Sequence, residues 1–134
     1  GAYVVSDLWA GDAPDEGRAF AEEVLHCTLD TGRAAERGRV RVVTSHRDFS
    51  RGEYRFNDEY RPDRYIVEAP DALNPAGEGA FSVMRYVENG RTAGVACEAE
   101  GRTFVVGFPF ESILSRTERD RLMRDALKFL LPEK

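Results

Sequence analysis

Six side chains capable of acid–base or hydroxyl chemistry follow apolar runs in this chain: Ser6, Asp7, Ser45, His46, Glu68 and Glu111. In open α/β sheets ligands gather beyond the carboxyl ends of the strands, so these are the positions where a site would form. An acid, a histidine and a second carboxylate at one sheet edge could activate a water or hold a metal. That makes Asp7, His46 and Glu111 the candidate catalytic set. The competing reading is that acids after strands cap helices or meet solvent. His26 and Cys27 are neighbours, which on a helix points them about 100° apart, so the expectation is a core Cys27 and a surface His26 rather than a dyad.

The second candidate chemistry is recognition. From Arg47 to Arg64 the chain mixes arginines and acids with Phe49, Tyr54, Phe56 and Tyr60, and no clean period of 2 or 3.6 runs through it. Such a stretch reads as a long surface excursion. Exposed aromatics beside charged hydrogen-bonding groups could stack on sugar rings or grip an acidic polymer, with Tyr54 and Tyr60 as the ligand-binding candidates. Alternatively the four aromatics anchor the excursion to the body. No zinc or calcium ligand spacing occurs, and no glycine-rich phosphate loop follows a strand, so neither a metal nor a cofactor is expected. Cys27 and Cys97 lack C-x-x-C spacing and read as two buried free thiols. A disulfide between them would instead mark an exported protein.

These residues need elements to position them. Residues 2 to 6 read as a short buried strand. Asp12, Pro14, Asp15 and Glu16 read as the start of a helix whose apolar face carries Phe20, Val24 and Cys27, with Gly32 as its terminator. Val40, Val42 and Val43 predict a second strand, and Tyr65-Ile66-Val67 a third, followed by a loop through Pro70 and Pro75. Phe81, Val83 and Val87, then Asn89-Gly90 as a type I′ hairpin pair, Val95, and a turn at Glu100-Gly101 predict a three-strand meander. Phe104-Val105-Val106 lacks polar alternation, which implies an interior strand covered on both faces. Ser115 and Glu118 have capping-box spacing, starting a helix with Leu122, Met123, Ala126, Leu127 and Leu130 on its apolar face and Pro132 after it.

The expected architecture is therefore a single α/β domain over residues 1–134: a mixed sheet with a C-terminal antiparallel meander and flanking helices. With 134 residues, 42% of them hydrophobic, one core is affordable and a second full domain is not expected. The net charge of −5 provides no basic field for nucleic acid. No apolar run approaches the roughly 20 residues that span a bilayer. The opening reads as a strand already under way, so the chain is expected to be a processed or cloned piece of something longer.

Short blocks carry a family resemblance: Gly1-Ala2-Tyr3-Val4-Val5-Ser6-Asp7-Leu8, Val67-Glu68-Ala69-Pro70-Asp71-Ala72-Leu73, Ala93-Gly94-Val95-Ala96, and Gly107-Phe108-Pro109-Phe110-Glu111-Ser112-Ile113 with the final helix. Together they resemble the C-terminal region of large Bacteroidetes proteins named as xanthan lyases. That region in turn resembles the second half of a class I glutamine amidotransferase-like domain of the flavodoxin-like, three-layer kind. In catalytic relatives a cysteine sits at an elbow after a central strand, and a His-Pro-Glu type segment completes a triad. Here Ala2 and Tyr3 stand in the opening segment and Phe108-Pro109-Phe110-Glu111 in the later one, without nucleophile or base. The resemblance thus implies a non-catalytic accessory or structural module of a larger, exported, polysaccharide-related protein. It would be periplasmic or extracellular, with other domains and polysaccharide as its partners. The alternative is a hydrolase or lyase domain using Asp7, His46 and Glu111.

Overall fold

The computed structural model describes the backbone of residues 2–6, 15–99 and 101–131, and the side chains of 18–99 and 101–131. Its elements are β1 (Ala2–Ser6), α1 (Asp15–Glu23), β2 (Cys27–Thr31), β3 (Arg39–Val42), β4 (Glu53–Arg55), β5 (Ala72–Pro75), β6 (Ala80–Tyr86), β7 (Thr92–Glu98), β8 (Arg102–Val106), a 3-10 turn (Phe110–Ser112) and α2 (Arg116–Leu130). The main sheet has six strands in the order β1-β8-β7-β6-β3-β4, and β2 and β5 form a separate pair. β1 runs parallel to β8; every other pairing is antiparallel.

The expected meander is present, with β6, β7 and β8 as consecutive antiparallel neighbours. β8 is interior, between β1 and β7. Its alternation shows how it is covered on two sides. Val105 faces its partner Val95 in a cluster with Ala21 and Leu25 near α1, Cys27 of β2 and Leu73 of β5. Phe104, paired with Ala96, lies in the larger cluster that holds Leu122, Ala126 and Phe129 of α2 and Phe49, Tyr54 and Phe56 from the excursion. Each fully buried side chain of this size stabilises by roughly 1.5–3 kcal/mol relative to exposure, so the meander is the mechanical centre of the domain.

The helix start at Ser115 is as expected. Its hydroxyl accepts the Glu118 amide at 3.2 Å, although Glu118 does not complete a reciprocal box: its carboxylate accepts the Arg55 amide at 2.9 Å and ties α2 to β4. The apolar face of α2 is narrower than its sequence suggests. Met123 and Leu127 are exposed, and Asp125 is buried instead, because its carboxylate receives the Ser50 amide at 2.8 Å.

Four other expectations are corrected. The first helix stops at Glu23, Phe20 is exposed, and Cys27 belongs to a strand. His26 takes a left-handed conformation, φ 59°, which ends the helix well before Gly32. Tyr65-Ile66-Val67 forms no strand, and β5 forms instead where a loop was expected. It exists because Leu73 and Asn74 pair with Leu29 and Thr28, a partnership more than forty residues apart that local pattern does not reveal. β4 likewise lies unforeseen inside the excursion. At the hairpin, Gly90 has φ 74° and Asn89 does not share a positive φ. The turn is therefore not type I′, which needs both central residues in that region; Asn89 instead accepts the Arg91 amide at 2.9 Å. The helix-start residues Asp12 and Pro14, the side chains of Asp15 and Glu16, and the positions of Glu100 and Pro132 lie outside the described residues.

Candidate functional site

Strand direction decides where the candidate residues go. β3 is antiparallel to β6, β6 to β7 and β7 to β8, so β3 and β8 point in opposite directions. The carboxyl end of β3, which leads to Ser45 and His46, and the carboxyl end of β8, which leads to Glu111, are therefore at opposite edges of the sheet. His46 meets Glu98 at the end of β7, and Glu98 in turn holds Arg102, the first residue of β8. Glu111 follows the far end of β8, about 13 Å further along the strand by its rise alone. The structure does not bring His46 and Glu111 together. Asp7 and the Ser6 side chain lie outside the described residues, and Ser45 and Glu68 are exposed.

His46 occupies a built environment. Its Nε2 lies 3.0 Å from Glu98 Oε2, and its Nδ1 accepts the Asp48 amide at 3.1 Å. A ring nitrogen that accepts from an amide carries no proton, so Nε2 is the protonated nitrogen and donates to Glu98. Both nitrogens are thus engaged. The imidazole stacks on Phe81 and meets the edges of Phe49 and Phe129, with centroids 5.3–5.9 Å apart. Arg102 closes the cluster, donating to Glu98 at 2.7 Å and to the Phe129 carbonyl at 2.9 Å. Such a histidine fastens the 44–50 loop to the meander and α2; it has no lone pair left to take a proton from a substrate.

At the other edge, the turn after β8 is packed rather than open. Gly107 donates to Ala93 and accepts from Asp71, and a Cβ on it would run into the Asp71 carbonyl. Phe108 is fully buried, stacked on Phe56 at 5.2 Å. Glu111 faces outward, where its carboxylate accepts the Tyr65 hydroxyl and its carbonyl accepts Arg64, both at 2.9 Å. Asn57 anchors the base of the same segment: its amide nitrogen donates to the Tyr65 carbonyl at 2.8 Å, and its oxygen accepts Arg61 at 3.0 Å.

These bonds hold a ledge of apolar and aromatic surface. Tyr60 is 81%, Tyr65 52% and Ile66 39% exposed, and Tyr60 and Tyr65 flank the Arg61–Arg64 bridge. The excursion's other aromatics are anchors: Phe49 and Phe56 are buried, and Tyr54 is 1% exposed beneath the Arg121 guanidinium, 4.6 Å from its ring. Tyr54 is therefore corrected from a ligand candidate to a core residue, because no face of it reaches solvent. Tyr65 was missed because the run Tyr65-Ile66-Val67 resembles a strand. The signal against a strand is its shortness and the charged residues before it.

Cys27 and Cys97 are both buried and free. Burial pushes the Cys27 thiol up to about 11 and raises that of Cys97, so neither is a nucleophile at neutral pH. Among the described residues no group of three or more His, Cys, Asp or Glu side chains is placed to hold a metal ion. No helix among them is long and apolar enough to cross a membrane.

No family model and no curated protein matches the chain. Among solved structures it is similar to the cold-adapted β-galactosidase from Rahnella sp. R3, with a TM-score of 0.58 and 16% identity over 96% of this chain. The match covers 18% of that enzyme's chain, so the likeness is one of fold, to a segment of a much longer protein.

Proposed function

We propose that the chain is a non-catalytic accessory module of a larger, exported, polysaccharide-related protein, and that it holds glycan against the ledge of Tyr60, Tyr65 and Ile66. The observation that carries this reading is the exposure of Tyr60, 81%, on a segment otherwise fastened to the body by Asn57, Arg64 and Glu111. An aromatic ring on a fixed backbone presents its face without a large ordering cost on binding, which is what stacking on a sugar ring requires. The resemblance to xanthan-lyase-like C-terminal regions supports the polysaccharide setting and a periplasmic or extracellular location. For the finer fold reading, the second part of a flavodoxin-like, amidotransferase-like domain, the support is the parallel pairing of β1 with β8; the sheet's other pairings are antiparallel.

Affinity electrophoresis through gels containing xanthan and a panel of neutral and acidic polysaccharides tests the reading. Retention by at least one polymer is expected, with Tyr60→Ala about tenfold weaker, the scale for losing a central aromatic contact. Unretarded migration in every gel, or retention that Tyr60→Ala leaves unchanged, sinks it.

A further inference from the structure

One ridge of α2 is apolar and stands out from the body. Met123, Leu127 and Leu131 follow one another at four-residue spacing and are 38%, 46% and 67% exposed, while Leu122, Ala126, Phe129 and Leu130 take the buried face. The Leu131 amide bonds the Leu127 carbonyl at 2.8 Å, so helical bonding reaches the last member of the ridge. Side chains four apart on a helix form the continuous row that packs into the groove of a second helix. An apolar row left in water costs free energy that only docking recovers.

A hollow of about 730 Å³ lies between this ridge and the loop at Arg47 and Asp48. Its loop wall is already fixed: the Asp48 amide donates to His46 Nδ1 at 3.1 Å, and the Asp48 carboxylate lies 4.0 Å from Arg102. Beside the apolar ridge runs a second one, Asp120, Arg124 and Lys128, exposed and lining the same hollow. Asp120 has only a loose 3.9 Å contact with Arg116, which leaves its carboxylate able to take another partner. Charge therefore changes sign along the helix, negative toward its start and positive toward its end.

We propose that a second copy of the chain occupies this hollow, with its α2 packed antiparallel on the first about a twofold axis near the middle of the ridge. Met123 of each copy then meets Leu127 of the other, and Asp120 of each comes within reach of the long Lys128 side chain of the other. The surface is thus complementary to itself, the condition for a twofold contact that closes with two copies. Antiparallel helices also bring opposite ends of their dipoles together. A parallel arrangement would set Lys128 against Lys128 and Asp120 against Asp120. Arg124 meets its own copy near the axis, a cost that salt screens. An anionic membrane fits less well: Asp48 and Asp120 share the hollow with Arg47, Arg124 and Lys128, so the face is not uniformly basic.

Sedimentation equilibrium of the chain from about 1 μM to about 1 mM tests the assignment. A monomer–dimer equilibrium is expected, weakened about tenfold or more by Leu127→Glu, the scale for losing a central apolar contact. Asp120→Lys and Lys128→Asp should each weaken it about tenfold, as two surface ion pairs turn repulsive. Combining the two in one chain should restore the dimer, because both signs are then exchanged in both copies. A chain that stays monomeric at the highest concentration overturns the proposal, as does a dimer that Leu127→Glu leaves intact. Failure of the combined variant to recover affinity overturns the antiparallel arrangement. Flotation of the monomer with phosphatidylglycerol vesicles, abolished by Leu127→Glu, would assign the ridge to a membrane and also overturn it. All three substituted side chains are exposed, and an unaltered circular dichroism spectrum of the variants shows that loss of association is not loss of fold.

Discussion

The excursion that carries the Tyr60 ledge is held near its start by a buried carboxylate as well as by His46 and Phe49, and removing that carboxylate has a calculable effect. Asp125 of α2 is almost fully buried and accepts the Ser50 amide at 2.8 Å and the Ser50 hydroxyl at 3.3 Å. A hydrogen bond to an ionised acceptor contributes about 1.5–3 kcal/mol, and the amide left behind in Asp125→Ala is only partly able to find water. The expected loss is about 2–3 kcal/mol. For a domain of this size that corresponds to a fall in melting temperature of roughly 6–12 °C. Asp125→Asn keeps a neutral acceptor and should cost about 1 kcal/mol, whereas Ser50→Ala loses only the long hydroxyl bond and should stay within about 0.5 kcal/mol. Urea denaturation of the three variants, with hydrogen exchange at the Ser50 amide, measures each term. If Asp125→Ala matches wild type, or Ser50→Ala costs as much as Asp125→Ala, then the amide contact is not what holds this loop.

Three further outcomes follow from the packing. Gly107→Ala should destabilise by about 3 kcal/mol, at the upper end for overpacking, because its Cβ has no room beside the Asp71 carbonyl and the Tyr86 hydroxyl; a normal melting curve would show that the turn relaxes. Ser115→Ala removes the cap on Glu118 and should cost about 1 kcal/mol by urea denaturation. Cys27, raised from 9.0 to about 11 by burial, binds its proton more tightly folded than unfolded, so its contribution is whole below pH 9 and is lost as pH rises toward 11. Stability should fall by up to about 3 kcal/mol across that window, less steeply in Cys27→Ala. Below it, neither thiol should react with a disulfide reagent before unfolding.

How much of this was legible depends on the range of the interaction. The β6–β8 meander and the Ser115 cap could be read because alternation, turn glycine and cap each act within a few residues. The end of α1 could not: Phe20, Val24 and Cys27 keep helical spacing, and only the left-handed turn at His26 moves Cys27 into β2. Nor could β5, whose strand character comes from pairing with β2.

The candidate site shows the same division. Residue types alone identified His46, Glu111 and Tyr60 as chemically able. Whether they meet was decided by strand direction, which puts His46 and Glu111 at opposite sheet edges, and by burial, which turned Tyr54 inward and left Tyr60 outside. Arg39 and Arg55 likewise lie on different strands, and only the β3–β4 pairing sets them opposite each other. Composition and local pattern determine which elements form and what chemistry each carries. The core, by choosing which strands pair and in which direction, determines which of those chemistries share a surface.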